Sequence, residues 1–284
     1  MIDVHLIILA IIQAITEFLP VSSSAHLIIP SQVWHWEDQG LAFDVAVHTG
    51  TLLAVVIYYI ADLVKIGTYT IESAMTFKQT PVSRVGWFLV IATIPVCVVG
   101  VLAEPYISTI GRSIAVIGYA TIFFGLLLGL ASMVNRRMIW RNIVHTQGAR
   151  PDSLRNLTLA QALLVGCAQA LALIPGTSRS GVTLTAGMFL GLRPEAAARF
   201  SFLLSIPVIL ASAVFEAYKL YQSDMPMQQT WVEVLLSIII SFVLAILVIH
   251  LFLKYVSKSG MAFFVIYRLI LGGILLYLYY SGSV

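Results

Sequence analysis

Charged side chains are scarce in this sequence. Lys and Arg total 16 and Asp and Glu 13 in 284 residues, 10% of the chain, where a soluble domain carries about 25%. That shortage excludes a soluble enzyme, a nucleic-acid reader and a disordered tail. Cysteine is nearly absent too. Cys97 and Cys167 stand alone inside apolar runs with no CxxC spacing, which leaves neither a zinc site nor a disulfide framework; both read as small core hydrophobes. Period-two alternation is missing, and with it any transmembrane β-barrel. The N-terminal stretch MIDVHLIILAIIQAITEFLP lacks the positive start of a signal peptide and holds Gln13 and Glu17, so it is expected to stay in the mature protein.

What the chain has is apolar length. Hydrophobic residues make up 60% of it, with a mean hydropathy of +0.96. Stretches at 41–60, 85–103, 113–133, 198–217, 232–253 and 262–281 each approach the roughly 20 residues that cross a bilayer core. Two shorter stretches, 3–19 and 159–174, run into LPVSSSAH (19–26) and IPGTSRSG (174–181). Pro, Gly and clustered hydroxyls break a helix there, and another short apolar piece follows each break. Such a segment reads as a re-entrant hairpin that enters and leaves the membrane on one side.

The two hairpins resemble each other. Gln13-Ala-Ile precedes Pro20 and Ser22-Ser23-Ser24, and Gln169-Ala-Leu precedes Pro175 and Thr177-Ser178-Arg179-Ser180. The expected fold is therefore an all-α polytopic membrane protein forming one integral membrane domain. It is an inverted repeat of two halves, about 1–155 and 156–284, each a re-entrant hairpin plus three transmembrane helices. Charge placement agrees with it. Lys65, Lys78, Arg84, Arg136, Arg137, Arg141, Arg150, Arg155, Arg193, Arg199, Lys254 and Lys258 fall on one side, against only Arg112 and Lys219 on the other. By the positive-inside rule the crowded side is cytoplasmic. Both termini and the opening of the first hairpin then face outward.

Gln13 and Glu17, four apart, share a helix face, and a carboxylate inside an apolar span marks a pathway or a site. Serine is a preferred N-cap, but capping explains one of Ser22, Ser23 and Ser24, not all three, with His26 two residues beyond. Arg179 at bilayer depth needs an anionic partner. Glu17 is one candidate; the other is a ligand phosphate, because hydroxyls, glycines and a helix N-terminus make an anion site to which Arg adds a rigid fork. Two such loops facing each other would cradle a phosphate or diphosphate. Asp44 and His48, four apart in the first span, read as a buried satisfied pair or as an ion or proton relay beside the site. Arg268 reads as a pocket anchor or a carboxylate partner. Tyr58, Tyr59, Tyr277, Tyr279 and Tyr280 sit near span ends as interface aromatics.

EFLPVSSSAH (17–26) with PGTSRSGVT (175–183), the FSFLLSIP run (200–207) and Tyr267-Arg268 resemble the undecaprenyl-diphosphate phosphatases of the bacitracin-resistance type, over essentially the whole chain. The resemblance implies a bacterial inner-membrane enzyme that dephosphorylates the C55 lipid carrier for peptidoglycan and other envelope polymers. It also implies stimulation by a divalent cation, Mg²⁺ or Ca²⁺. The family's first acidic position falls on Gln13, where some members carry Glu. Its second falls on Glu17, its serine pair on Ser22 and Ser23, its histidine on His26 and its arginine on Arg179. Ala25 replaces the glycine that often precedes the histidine.

With one carboxylate instead of two, a cation would arrive on the diphosphate, with Glu17 completing its shell. Glu17, Ser23, His26 and Arg179 are thus expected to be catalytic. Gln13, Ser22, Ser24, Gln169, Thr177, Ser178 and Ser180 are expected to bind substrate. Ser23, then Ser22, is the candidate nucleophile, and direct attack by water stays open; His26 or Glu17 is the candidate base. A lipid flippase using the same anion site is the alternative. Small-residue helix faces would permit a homodimer.

Overall fold

The computed structural model describes residues 3–34, 36, 39–110, 113–146, 154–222 and 229–282, and all regular structure among them is helical. In chain order the helices are α1 (Val4–Thr16), α2 (Ser23–Val33), α3 (Gly40–Tyr58), α4 (Ile60–Thr76), α5 (Pro81–Ile110) and α6 (Ile114–Thr146). After them come α7 (Leu159–Ala170), α8 (Arg179–Phe189), α9 (Pro194–Gln222), α10 (Trp231–Ser259) and α11 (Ala262–Ser281). Short 3₁₀ turns precede α7 and extend it through Leu173.

Among the described residues, five helices are long and apolar enough to cross a membrane: Pro81–Ala103 of α5, Ile114–Ile139 of α6, all of α9, Trp231–Lys258 of α10 and Ala262–Tyr280 of α11. Only 22% of the apolar window of α10 is buried. Leu235, Ile239, Val243, Leu247 and Leu251 form an exposed stripe along it, a surface that suits lipid and not water. By contrast α1 has 13 residues and α8 has 11, about 20 Å or less of helix, too short to cross. α1 packs on α2, and α7 on α8; these are the two hairpins.

The sixth expected span differs from its sequence reading. α3 passes the length and apolarity test only together with α4, and the two are bent by 77° at Tyr59, whose ring is buried. The stretch between the first two expected spans, 61–84, therefore begins as a helix. Asp62, Lys65 and Glu72 interrupt its apolar residues, so it offers no continuous run, only one apolar face. Trp87 Nε1 of α5 donates to Ser73 Oγ of α4 at 2.9 Å and holds α4 down. The cysteines also depart from expectation: Cys97 is half-buried and Cys167 exposed, so neither is core.

The packing pairs exchange between halves. α1 lies on α10 while α7 lies on α5, and α3 meets α9 as α6 meets α11. The α6–α11 contact is closest at two glycines: a Cβ on Gly272 would sit 2.9 Å from the Gly118 carbonyl oxygen, and one on Gly118 2.8 Å from Leu276. Gly166 of α7 meets Ala92 of α5 in the same manner. These small faces, where a homodimer might have been sought, are used inside the chain. Asn135 of α6 donates to Met188 O at 2.6 Å and Leu192 O at 2.9 Å, closing the C-terminal end of α8.

Candidate active site

Both loops turn in the same way. α1 ends at Thr16, and Pro20 forbids its continuation. The chain reverses to Ser22, which has φ of 76° and caps α2 by accepting from Ala25 N–H. In the second loop Gly176 has φ of 92°, and a Cβ there would lie 2.4 Å from Ile117 O, so only glycine fits. Ser178, with φ of 69°, then caps α8 by accepting from Gly181 N–H at 3.1 Å. Two serines held at positive φ at matching places are the kind of strain that surrounding structure must hold in place.

That structure is a mesh of cross-loop bonds. Gly176 N–H donates to Ser24 Oγ at 3.0 Å, and Ser180 Oγ donates to Leu19 O at 2.8 Å. Ser22 and Ser24 bond each other at 3.0 Å, as Ser178 and Ser180 do at 3.2 Å. Arg268 lies beneath both loops with none of its surface exposed. Its guanidinium donates to Thr121 O (3.1 Å), Pro20 O (3.3 Å), Thr177 O (2.9 Å) and Gly176 O (2.9 Å). Neither sequence expectation for Arg268 named these partners: it grips main-chain carbonyls of both loops, not a carboxylate.

Within this frame Glu17 is the hub. Its Oε1 accepts from Arg179 Nη2 at 2.9 Å. Its Oε2 accepts from Gln13 Nε2 at 3.0 Å and from Ser23 Oγ at 3.4 Å. Ser23 and Arg179 are the first residues of α2 and α8, so two helix N-termini, each a partial positive charge, meet at the carboxylate. Arg179 Nη1 and Thr177 Oγ1 are buried with no partner in the protein. Buried donors of this kind call for a ligand or water, and both suit phosphate oxygens.

The remaining candidates sort by what they touch. His26 joins neither Glu17 nor Ser23. Its Nδ1–H donates to Ser22 O at 2.6 Å, and Nε2 accepts from Tyr267 O–H at 2.6 Å with the ring planes nearly parallel at 4°. Ser22, Ser24, Ser178 and Ser180 spend hydroxyl bonds on the loop frame. Gln169 is fully buried with both amide atoms unpartnered, and no bond links it to the cluster. Sequence reasoning quoted Tyr267 beside Arg268 but gave it no role; it lies 241 residues from His26.

Glu17 also bears on the expected cation. Both its oxygens already face donors, and the described residues contain no group of three or more His, Cys, Asp or Glu able to hold a metal ion. The chain's own side chains do not fit a resident divalent cation.

Residues 6–274 match the family model for the bacitracin resistance protein BacA. The chain belongs to this family. It is 48% identical over 276 residues to a protein of Hahella chejuensis (strain KCTC 2396) named undecaprenyl-diphosphatase, covering 97% of this chain and 98% of that one. The family match spans both loops and Arg268.

Proposed function

We infer that this chain hydrolyses undecaprenyl diphosphate to undecaprenyl phosphate and orthophosphate. The reaction returns the lipid carrier to cell-envelope synthesis and confers bacitracin resistance. One observation carries the reading: Ser23 Oγ donates to a carboxylate whose other oxygen is held by Arg179 of the opposite loop. A carrier needs an anion clamp but has no use for a hydroxyl aimed at a base.

Ser23 Oγ attacks the terminal phosphorus while Glu17 takes its proton. The bridging P–O bond breaks, and its electron pair leaves on undecaprenyl phosphate. Water then cleaves the phosphoserine, giving orthophosphate and restoring the serine. Phosphoryl transfer depends chiefly on positioning and on neutralising the equatorial oxygens. Arg179 Nη1, Thr177 Oγ1 and the N–H groups opening α2 and α8 serve that end. Glu17 is the base because it touches Ser23; both ring nitrogens of His26 are occupied elsewhere, which leaves it to hold Ser22 and, through Tyr267, α11. Any Mg²⁺ or Ca²⁺ enters as part of the diphosphate complex.

The inner membrane is the site of action, with the termini and the pocket mouth on the periplasmic face, on the strength of twelve basic residues against two. The two repeat halves divide near residue 155. Every group in the reaction comes from one chain, so a homodimer would add nothing to the chemistry.

The test is orthophosphate release from undecaprenyl diphosphate by the detergent-purified protein beside Ser23→Ala and Arg179→Ala. Release that falls by about 10³-fold in both, with folding intact, is the expected outcome. Activity that survives Ser23→Ala but not Arg179→Ala would replace the serine with direct attack by water. No release, with lipid bound in an Arg179-dependent way, would favour a flippase.

A further inference from the structure

His48 belongs to neither loop, yet its ring reaches the cluster from the middle of α3. Its Nε2 lies 3.3 Å from Gln13 Nε2, and its Nδ1 lies 2.8 Å from Asp44 O, one helical turn back. A carbonyl oxygen only accepts, so in the neutral ring Nδ1 carries the proton and Nε2 offers a lone pair. The amide nitrogen of Gln13 therefore donates twice, once to Glu17 Oε2 and once to His48 Nε2. The donors then diverge from Gln13. Asp44 O takes the proton of His48, His48 and Glu17 take the two protons of Gln13, and Ser23 and Arg179 complete the shell of Glu17.

The orientation of the Gln13 amide matters because its two ends have opposite effects on Glu17. With the nitrogen inward, the carboxylate gains a hydrogen bond. With the oxygen inward, it meets an acceptor and is repelled. Gln13 has no exposed surface, and its Oε1 is buried without a partner, so neither solvent nor a bond on the oxygen side selects between the two. Only the two acceptors do. Of these, His48 is the one outside the proposed reaction.

We propose that His48 is a positioning residue for the phosphatase, which acts through Gln13 to hold the Glu17 carboxylate toward Ser23. The inference deepens the mechanism above and rests on Glu17 as the base. Within the Asp44–His48 pair, the Asp44 main-chain carbonyl fixes the histidine tautomer, and the tautomer fixes an amide.

The test is steady-state kinetics on undecaprenyl diphosphate with the purified full chain. Two variants fill the space without accepting a hydrogen bond, His48→Leu and His48→Phe; those that keep the wild-type thermal melt are scored. Each should lower kcat by about tenfold or more while KM stays within about twofold, since His48 touches no substrate. His48→Gln, whose side-chain oxygen can accept the same hydrogen, should recover most of kcat. In a Gln13→Met background, removing His48 as well should cost nothing further, because the link is already cut. The proposal is overturned if the non-accepting variants keep wild-type kcat while Glu17→Gln is inactive, or if folded His48→Gln is as poor as they are. Activity retained by Glu17→Gln would instead remove the base assignment, and this inference with it.

Discussion

The first loop and the second share a frame but differ in their reactive groups. Each is approached by a buried glutamine, Gln13 or Gln169. Each restarts its helix with a positive-φ serine, Ser22 or Ser178, and each places a second serine, Ser24 or Ser180, two residues on. The residues between and around these diverge. Ser23 stands where the second loop has Arg179, Glu17 where it has Leu173, and His26 where it has Val182. The first loop thereby supplies the hydroxyl and the carboxylate, and the second the positive charge. Caps and cross-loop bonds make the frame, so a duplicated frame tolerates a change of chemistry at the positions that face across it.

Six substitutions, grouped in four tests, would break or sharpen this contrast, beginning with the largest expected effect. Arg179→Lys keeps a charge but loses the fork. One ammonium cannot serve Glu17 and a phosphate together, so turnover should fall about 100-fold, read as orthophosphate release. Arg268→Met strips both loops of the donor they share and leaves its carbonyl partners buried; it should destabilise the fold by about 3 kcal/mol, seen as a lower melting temperature in detergent. If its melt is unchanged, Arg268 is not what joins the loops.

Ser24→Ala and Ser180→Ala remove equivalent cross-loop bonds, so each should cost only about 0.6 kcal/mol with KM unchanged. A KM raised by Ser24→Ala alone would mean that the first loop uses that hydroxyl on substrate. Gln169→Met should leave activity intact and raise the melting temperature, since it removes two buried polar atoms with no partners. Gln13→Met should do the reverse, lowering kcat. Equal behaviour of the two glutamines would remove the functional asymmetry between the loops.

Much of this was legible in the sequence. Gln13 and Glu17 lie on one helix face, and Gln13 does bond Glu17. One of the three serines was expected to cap α2, and it is Ser22. The ion pair of Arg179 with Glu17 was one of two open readings, and the structure shows it, with Nη1 left without a partner. What was not legible involves partners far apart in the chain or elements without a strong pattern. α4 escaped because its charges interrupt the apolar run and its bend lies at a single residue, Tyr59. His26 has a suitable ring but lies against Tyr267, which no local spacing announces. Arg268 invited a search for a carboxylate because a buried charge needs compensation, and four carbonyl oxygens provide it instead.

The amino-acid sequence by itself determined that the chain lives in lipid, that two of its helices break at matching motifs, and that the motifs gather serines, a carboxylate and an arginine. Hydropathy, helix breaking and capping act over a few turns of chain, so a linear reading captures them. Only the tertiary structure decided which groups meet. Arg179 reaches Glu17 across 162 residues and Arg268 reaches Pro20 across 248. Those meetings depend on how α1 settles against α10 and α7 against α5, at close approaches set by glycines and small side chains. The position of a hydrogen-bond donor to within half an ångström is a property of that packing, and no periodicity along the chain encodes it.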